Sequence, residues 1–218
     1  MSNSEGKCRI CNKTFSGSGI GRHLLSCSVK KKEDEKLKGR RGKNLIYHLK
    51  ISAYGLYWLH VEVKGTATLM DLDAFLREIW LECCGHLSQF TIHGVRYSSY
   101  EEEDDWWGDA PESMEIPLNK VINIKDKFKY EYDFGSTTEL TIQVISVREG
   151  AIDKSIRILA RNNPPVFVCE KCNGIATQIC QGCYEDYCDE CIKTHECADE
   201  YAMPIVNSPR TGVCGYVG

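Results

Sequence analysis

Cysteine and histidine recur in this chain at spacings that hold a metal ion. Near the start the sequence reads Cys8-x2-Cys11-x11-His23-x3-Cys27. Near the end it reads Cys169-x2-Cys172-x7-Cys180-x2-Cys183-x4-Cys188-x2-Cys191-x3-His195-x-Cys197. Zinc takes four sulfur or imidazole ligands in a tetrahedron, and two tight pairs joined by a loop supply them. Thirteen cysteines could instead form disulfides, but Met-Ser-Asn-Ser-Glu opens the chain without an apolar signal segment. The expectation is therefore a reducing cytoplasm, where paired CxxC knuckles mean metal or redox work.

In the first cluster His23 and Cys27 lie four apart, on one face of a helix. Phe15 and Ile20 fall where a ββα finger keeps its small core. The segment resembles a C2HC-type zinc finger with one residue deleted before the helix. Such a finger reads bases from three helix positions, here Ser16, Gly19 and Arg22, of which only Arg22 offers a bidentate base contact. Phosphate contact with little sequence choice is the stronger expectation, through Arg22, Lys30, Lys31, Lys32, Arg40, Arg41 and Lys43. A protein-binding finger is the competing reading.

The second cluster offers four ligand pairs in about 29 residues, enough for two ions. It resembles a B-box or RING-like cross-brace. Interleaved pairing places Cys169, Cys172, Cys188 and Cys191 on one zinc and Cys180, Cys183, His195 and Cys197 on the other. Sequential pairing competes, but His195-x-Cys197 is a cramped pair to close a local loop. Cys214 is an alternative eighth ligand. About three zinc ions per chain are expected, all in ligand-saturated structural sites; a catalytic zinc keeps a position open for water.

Two weaker features remain. Cys83-Cys84-Gly85-His86 has metal-ligating residue types, but Cys83 falls on the apolar face of an expected helix, where a thiol is an ordinary core residue. The stretch from Tyr100 to Asp109 sets five consecutive acids before Trp106-Trp107. It reads either as a grip on a basic partner or as a solvated insertion whose tryptophans cover the sheet.

The elements that must position these residues are legible from periodicity. Residues 1–28 form the finger. Residues 29–43 are too charged to bury a core of their own, so they read as a flexible or partly helical linker. A central domain spans 44–163. Tyr47, Leu49, Ile51 and Ala53 alternate with polar neighbours, and residues 56–64 return as a second strand. Thr68 and Asp71 form a capping box before a helix over 68–84 with Leu69, Leu72, Leu76, Ile79, Trp80 and Cys83 on one face, closed by Gly85. Residues 89–97 make a third strand. Phe128, Tyr130, Tyr132 and Phe134 face one way in the next, Leu140, Ile142 and Val144 mark another, and Ile156, Ile158 and Ala160 a last. The fold class is α+β, one main helix on a sheet, with β-grasp-like packing as one arrangement of that order. Residues 164–218 hold the cysteine-rich module and a tail expected to dock on it.

Two stretches of the central domain, Trp80-Leu-Glu-Cys-Cys-Gly-His86-Leu-Ser-Gln-Phe90 and Phe128-Lys-Tyr130-Glu-Tyr132-Asp133-Phe134-Gly135, resemble the plasmid pRi open-reading-frame-three-like (insertion-element passenger, TnpR-like) family. The resemblance covers about 44–163 and implies an α+β fold without a known reaction. Where the family commonly continues with an aspartate-tryptophan type sequence, this chain has Ser136-Thr137-Thr138. Resolvase chemistry needs an activated serine among clustered arginines; Arg77, Arg96, Arg148 and Arg157 are scattered among acids.

Charge divides the chain. Residues 1–43 carry 12 Lys and Arg against 4 Asp and Glu, and the remainder 15 against 27. A basic arm seeks a polyanion. The expectation is a non-catalytic zinc protein that touches nucleic acid through its start and protein through the rest, with no membrane role. The alternatives are a protein–protein adaptor without nucleic acid, and a cysteine-based redox protein or enzyme.

Overall fold

The computed structural model describes residues 4–37, 44–100 and 110–218. Its elements are β1 (Glu5–Cys8), β2 (Thr14–Ser16), α1 (Ile20–Ser26), α2 (Ser28–Leu37), β3 (Asn44–Ala53), β4 (Tyr57–Lys64), α3 (Leu69–Leu76) and a π-helical turn over Arg77–Leu81. There follow β5 (Ser88–Ile92), β6 (Val95–Ser98), β7 (Glu112–Ser113), α4 (Leu118–Val121), β8 (Lys127–Tyr132), β9 (Thr138–Gly150) and β10 (Ile156–Asn162). The last segment adds β11 (Gln178–Cys180), β12 (Glu185–Tyr187), a 3-10 turn over Ile192–Thr194, α5 (Ala198–Tyr201) and β13 (Ala202–Pro204).

Ten strands share one sheet, in the order β2-β1-β10-β4-β3-β9-β8-β5-β6-β7, antiparallel except where β6 meets β7. A second sheet, β12-β11-β13, belongs to the cysteine-rich segment. The architecture is α+β, with a large antiparallel sheet and few helices. Helix α3 begins on the expected capping box: the Thr68 hydroxyl accepts from the Asp71 N–H at 3.1 Å, and Asp71 accepts from the Thr68 N–H at 2.9 Å. Its apolar face, Leu69, Leu72, Leu76 and Trp80, packs on Leu49, Ile51, Leu59, Val61, Phe90, Tyr130 and Ile142.

The helix stops short of its expected end. After the π-helical turn, Glu82 leaves the helical conformation, so Cys83 and Cys84 lie beyond the helix, not on its apolar stripe. Strand β8 also ends early. Asp133 adopts φ 64°, which turns the chain, and Phe134 is exposed instead of following Tyr132 inward. The expected third strand is a hairpin, β5 and β6, folded at His93-Gly94 with φ 50° and 83°. The primed turn those angles describe matches strand twist.

The finger is continuous with the central sheet. Strand β1 pairs with β10, Gly6 opposite Asn162 and Cys8 opposite Ala160. Strand β4 explains the docking, because it is buried on both faces. Leu59, Val61 and Val63 point into the main core. Trp58 lies under the finger with Ile20, Leu24, Leu159 and Ala160. Its indole N–H donates to the Ser4 hydroxyl at 2.8 Å. A Cβ on Gly6 would sit 2.3 Å from the Arg161 carbonyl and 2.4 Å from Trp58, so only glycine allows this approach.

The expected linker is helical over Ser28–Leu37 and lies on the same face. Glu62, 2 % exposed in its side chain, accepts from Lys30 of α2 at 2.7 Å, from Arg148 at 2.9 and 3.0 Å, and from Arg157. Asp34 of α2 completes the cluster, bonding Lys30, Arg148 and Arg157. Arg40, Arg41 and Lys43 lie outside the described residues, as does the acidic stretch with Trp106 and Trp107. No helix among the described residues is long and apolar enough to cross a membrane.

Candidate metal centres

Among the described residues, four groups of cysteine and histidine place their ligand atoms within 4.8 Å of one another. For Zn–S near 2.3 Å and Zn–N near 2.0–2.1 Å, a tetrahedron has S···S edges of about 3.8 Å and S···N edges of about 3.6 Å. Those lengths are the measure for each group.

The finger group is Cys8, Cys11, His23 and Cys27. The β1–β2 hairpin presents the two cysteines, and α1 presents His23 and, at its C-cap, Cys27. Cys11 Sγ lies 3.3 Å from His23 Nε2. Phe15 stacks on the His23 ring at 4.0 Å between centroids and fixes its plane. Burial pushes the Cys8 thiol up, whereas Cys11, though burial works against it, is drawn down by a backbone N–H from Lys13.

In the cysteine-rich segment the ligand groups interleave along the sequence. Cys169 and Cys172 meet Cys188 and Cys191, with Cys172 and Cys188 sulfurs 3.7 Å apart. Cys180 and Cys183 meet His195, whose Nε2 is 3.3 Å from the Cys183 sulfur. Cys197 approaches Cys180 but is not within 4.8 Å of all three. Burial works to raise the Cys169 thiol, yet the backbone N–H of the facing Cys188, with those of Cys172 and Lys171, holds it down to about 6. Cys180 is brought to about 7, against burial, by backbone N–H groups and by His195. Backbone amides aimed at sulfur favour the thiolate, the form that binds metal.

Three knuckles share one backbone trait. The residue after the second cysteine is left-handed in each: Asn12 at φ 58°, Asn173 at 59° and Tyr184 at 60°. Each donates its N–H to the carbonyl of the first cysteine, at 2.9, 2.9 and 2.8 Å.

The fourth group joins Cys83, Cys84 and His86 to Cys214. Cys214 lies with these three and not among the ligand groups of the cysteine-rich module, and the tail is not docked on that module alone. Its Ser208 hydroxyl donates to the Trp80 carbonyl at 2.5 Å, and its fully buried Arg210 reaches Asp133, the Ser136 carbonyl and Thr138 of the central domain. Gln181 of the module also donates to the Gly212 and Cys214 carbonyls.

The candidate nucleic-acid residues separate into two sets. Arg22, Lys31 and Lys32 are exposed. Ser16, Gly19 and Arg22 line one shallow groove on the finger. Lys30 is buried and bound to Asp34 and Glu62.

Residues 47–190 match the family described as plasmid pRiA4b ORF-3-like protein. The chain belongs to that family. The match begins inside β3, spans the central sheet and runs into the cysteine-rich segment. No curated protein matches the chain. Among solved structures, a protein of unknown function, MM3350 from Methanosarcina mazei Go1, is similar at 18 % identity and a TM-score of 0.44, over 55 % of this chain and 68 % of that one.

Proposed function

We propose that this pRiA4b ORF-3-like protein is a non-catalytic, zinc-stapled interaction protein of the cytoplasm. One zinc sits in the finger and two in the cysteine-rich module, the second of those completed by Cys197. The finger and its arm touch nucleic acid with little sequence choice, and the module touches protein. The four-ligand finger group and the four-thiol Cys169 group carry the non-catalytic reading, because a closed tetrahedron leaves no seat for a reacting water; the Cys180 group, with three ligands together, fits that reading only when Cys197 closes it. Thiolate-rich tetrahedral sets favour zinc over the oxygen-seeking cations.

The nucleic-acid part is supported by the exposed Arg22, Lys31 and Lys32, which remain on the surface after the finger and α2 have docked. Lys30 is left out, because Glu62 and Asp34 hold its charge. The protein part is supported by Val166, Val168 and Ile175, which are 72 %, 55 % and 68 % exposed around the Cys169 knuckle. The same apolar surface favours the second reading, an adaptor with no nucleic-acid role.

Salt dependence separates the two. Deleting residues 1–43 would strip β10 of one of its two partner strands, β1, and uncover Trp58, so point substitutions are the cleaner probe. A gel-shift titration of generic duplex DNA compares the full chain with R22Q/K31Q/K32Q. Each phosphate contact contributes about −0.9 to the slope of log affinity against log salt, so the triple variant is expected to lose about 2–3 from that slope. No duplex binding by the wild type, or a slope unmoved in the variant, overturns the nucleic-acid reading and leaves the adaptor.

A further inference from the structure

We propose a fourth zinc site, formed by Cys83, Cys84, His86 and Cys214, which fastens the C-terminal tail to the central domain. It goes beyond the three ions of the finger and module and uses none of their ligands. The donors are three thiols and one imidazole, a Cys3His set suited to zinc. Cys83 and Cys84 sulfurs are 3.7 Å apart, Cys84 and Cys214 sulfurs 3.6 Å, and Cys214 Sγ and His86 Nε2 3.6 Å. All three match tetrahedron edges. Cys84 Sγ to His86 Nε2, at 2.9 Å, is shorter, and rotation of the exposed Cys84 side chain opens it.

The backbone repeats a trait of the other sites. Gly85 follows Cys84 with φ 76°, left-handed like Asn12, Asn173 and Tyr184 after their knuckle cysteines. Cys214 is itself left-handed at φ 53°, a conformation that is strained for a non-glycine residue and persists where its surroundings hold it.

Groups around the ligands are arranged as a metal site requires. His86 turns Nδ1 toward Asp133 Oδ1 at 3.5 Å, leaving Nε2 among the sulfurs. A carboxylate behind the imidazole sets the tautomer and the ring's orientation in metal centres. Asp133 is held by N–H donors from Gly135 and Ser136 and by Arg210. Arg210 also lies 3.6 Å from the Cys83 sulfur. Three thiolates and Zn2+ sum to one negative charge, and this buried guanidinium, shared between Asp133 and the Cys83 sulfur, places an N–H donor against it. The tail thus supplies both the donor Arg210 beside Cys83 and the ligand Cys214.

Zinc content of the intact, reduced chain tests the assignment by elemental mass spectrometry, with C214S and C84S as separate variants. Four zinc ions in the wild type and three in each variant are expected. Replacing zinc by cobalt should give thiolate-to-metal absorption that weakens in both variants, and C214S should cleave faster after residue 205 in limited proteolysis. An unchanged zinc count in C214S and C84S overturns the site, as does a Cys84–Cys214 disulfide mapped in protein freshly purified under reductant.

Discussion

Glu62→Gln is the sharpest test of how the N-terminal segment is fixed. The substitution keeps shape and removes one charge from a carboxylate that Lys30, Arg148 and Arg157 surround. Burial alone would raise the Glu62 pKa, but the bonds from Arg148 and Lys30, with the charge of Arg157, bring it from 4.5 to about 2. A folded-state pKa below the unfolded one adds stability that is full above about pH 4.5 and is lost as pH falls toward 2. At about 1.4 kcal/mol for each tenfold change in proton affinity, the difference is worth about 3 kcal/mol at pH 7. Removing one partner of a buried ion pair costs about 3–5 kcal/mol, which agrees. For a chain of this size that lowers the melting midpoint by about 6–12 °C. Zinc-saturated protein at pH 7, followed by circular dichroism through heating, reads the change. A double-mutant cycle with Lys30→Met then shows whether the loss belongs to the α2 contact, with a coupling of about 0.5–3 kcal/mol expected. A loss below about 1 kcal/mol, the worth of an ordinary surface pair, refutes the reasoning.

The metal-ligand pattern was legible because ligand spacing is local and its chemistry is restrictive: a CxxC pair has few other uses in a reducing compartment. The main helix was legible at its start, where Thr68 and Asp71 act over three residues, and not at its end, where the π-helical turn answers to Arg77 bonding Asp73, Glu82 and the His86 carbonyl. Docking of the finger on Trp58 was invisible, because alternation in β4 reads the same whether its second face meets water or another segment. The fourth ligand group was half visible. Ten cysteines serve the finger and the module, so Cys83, Cys84 and Cys214 remain; with His86 they make one complete tetrahedral set. What the sequence could not supply was the approach of Cys214 to Cys84 across 130 residues, which accompanies the long-range contacts of Arg210 with Asp133 and of Ser208 with Trp80.

Two further predictions probe the layer between finger and sheet. His48 and His60 are buried side by side, Nε2 to Nδ1 at 2.9 Å. Burial lowers both, against the pull of Glu62 on His48, to about 4 and about 3. Their neutral forms therefore persist in the fold, and stability falls as pH drops below 6.5 toward those values. NMR of the imidazole resonances should show neither ring titrating between pH 8 and 5.5; a midpoint near 6.5 for either would place it in water. Trp58→Ala removes the side chain on which the finger rests, at a cost of about 3–5 kcal/mol. Because Ile20, Leu24, Leu159 and Ala160 lose the surface they share with it, protease should release the segment before residue 44 faster than in the wild type, while the finger keeps its zinc. Equal cleavage rates would mean that β1–β10 pairing and the Glu62 cluster hold the finger without the indole. The docking would then rest on backbone hydrogen bonds and a buried ion cluster, which salt screens little, and Glu62→Gln, not Trp58→Ala, would be the substitution that frees the finger.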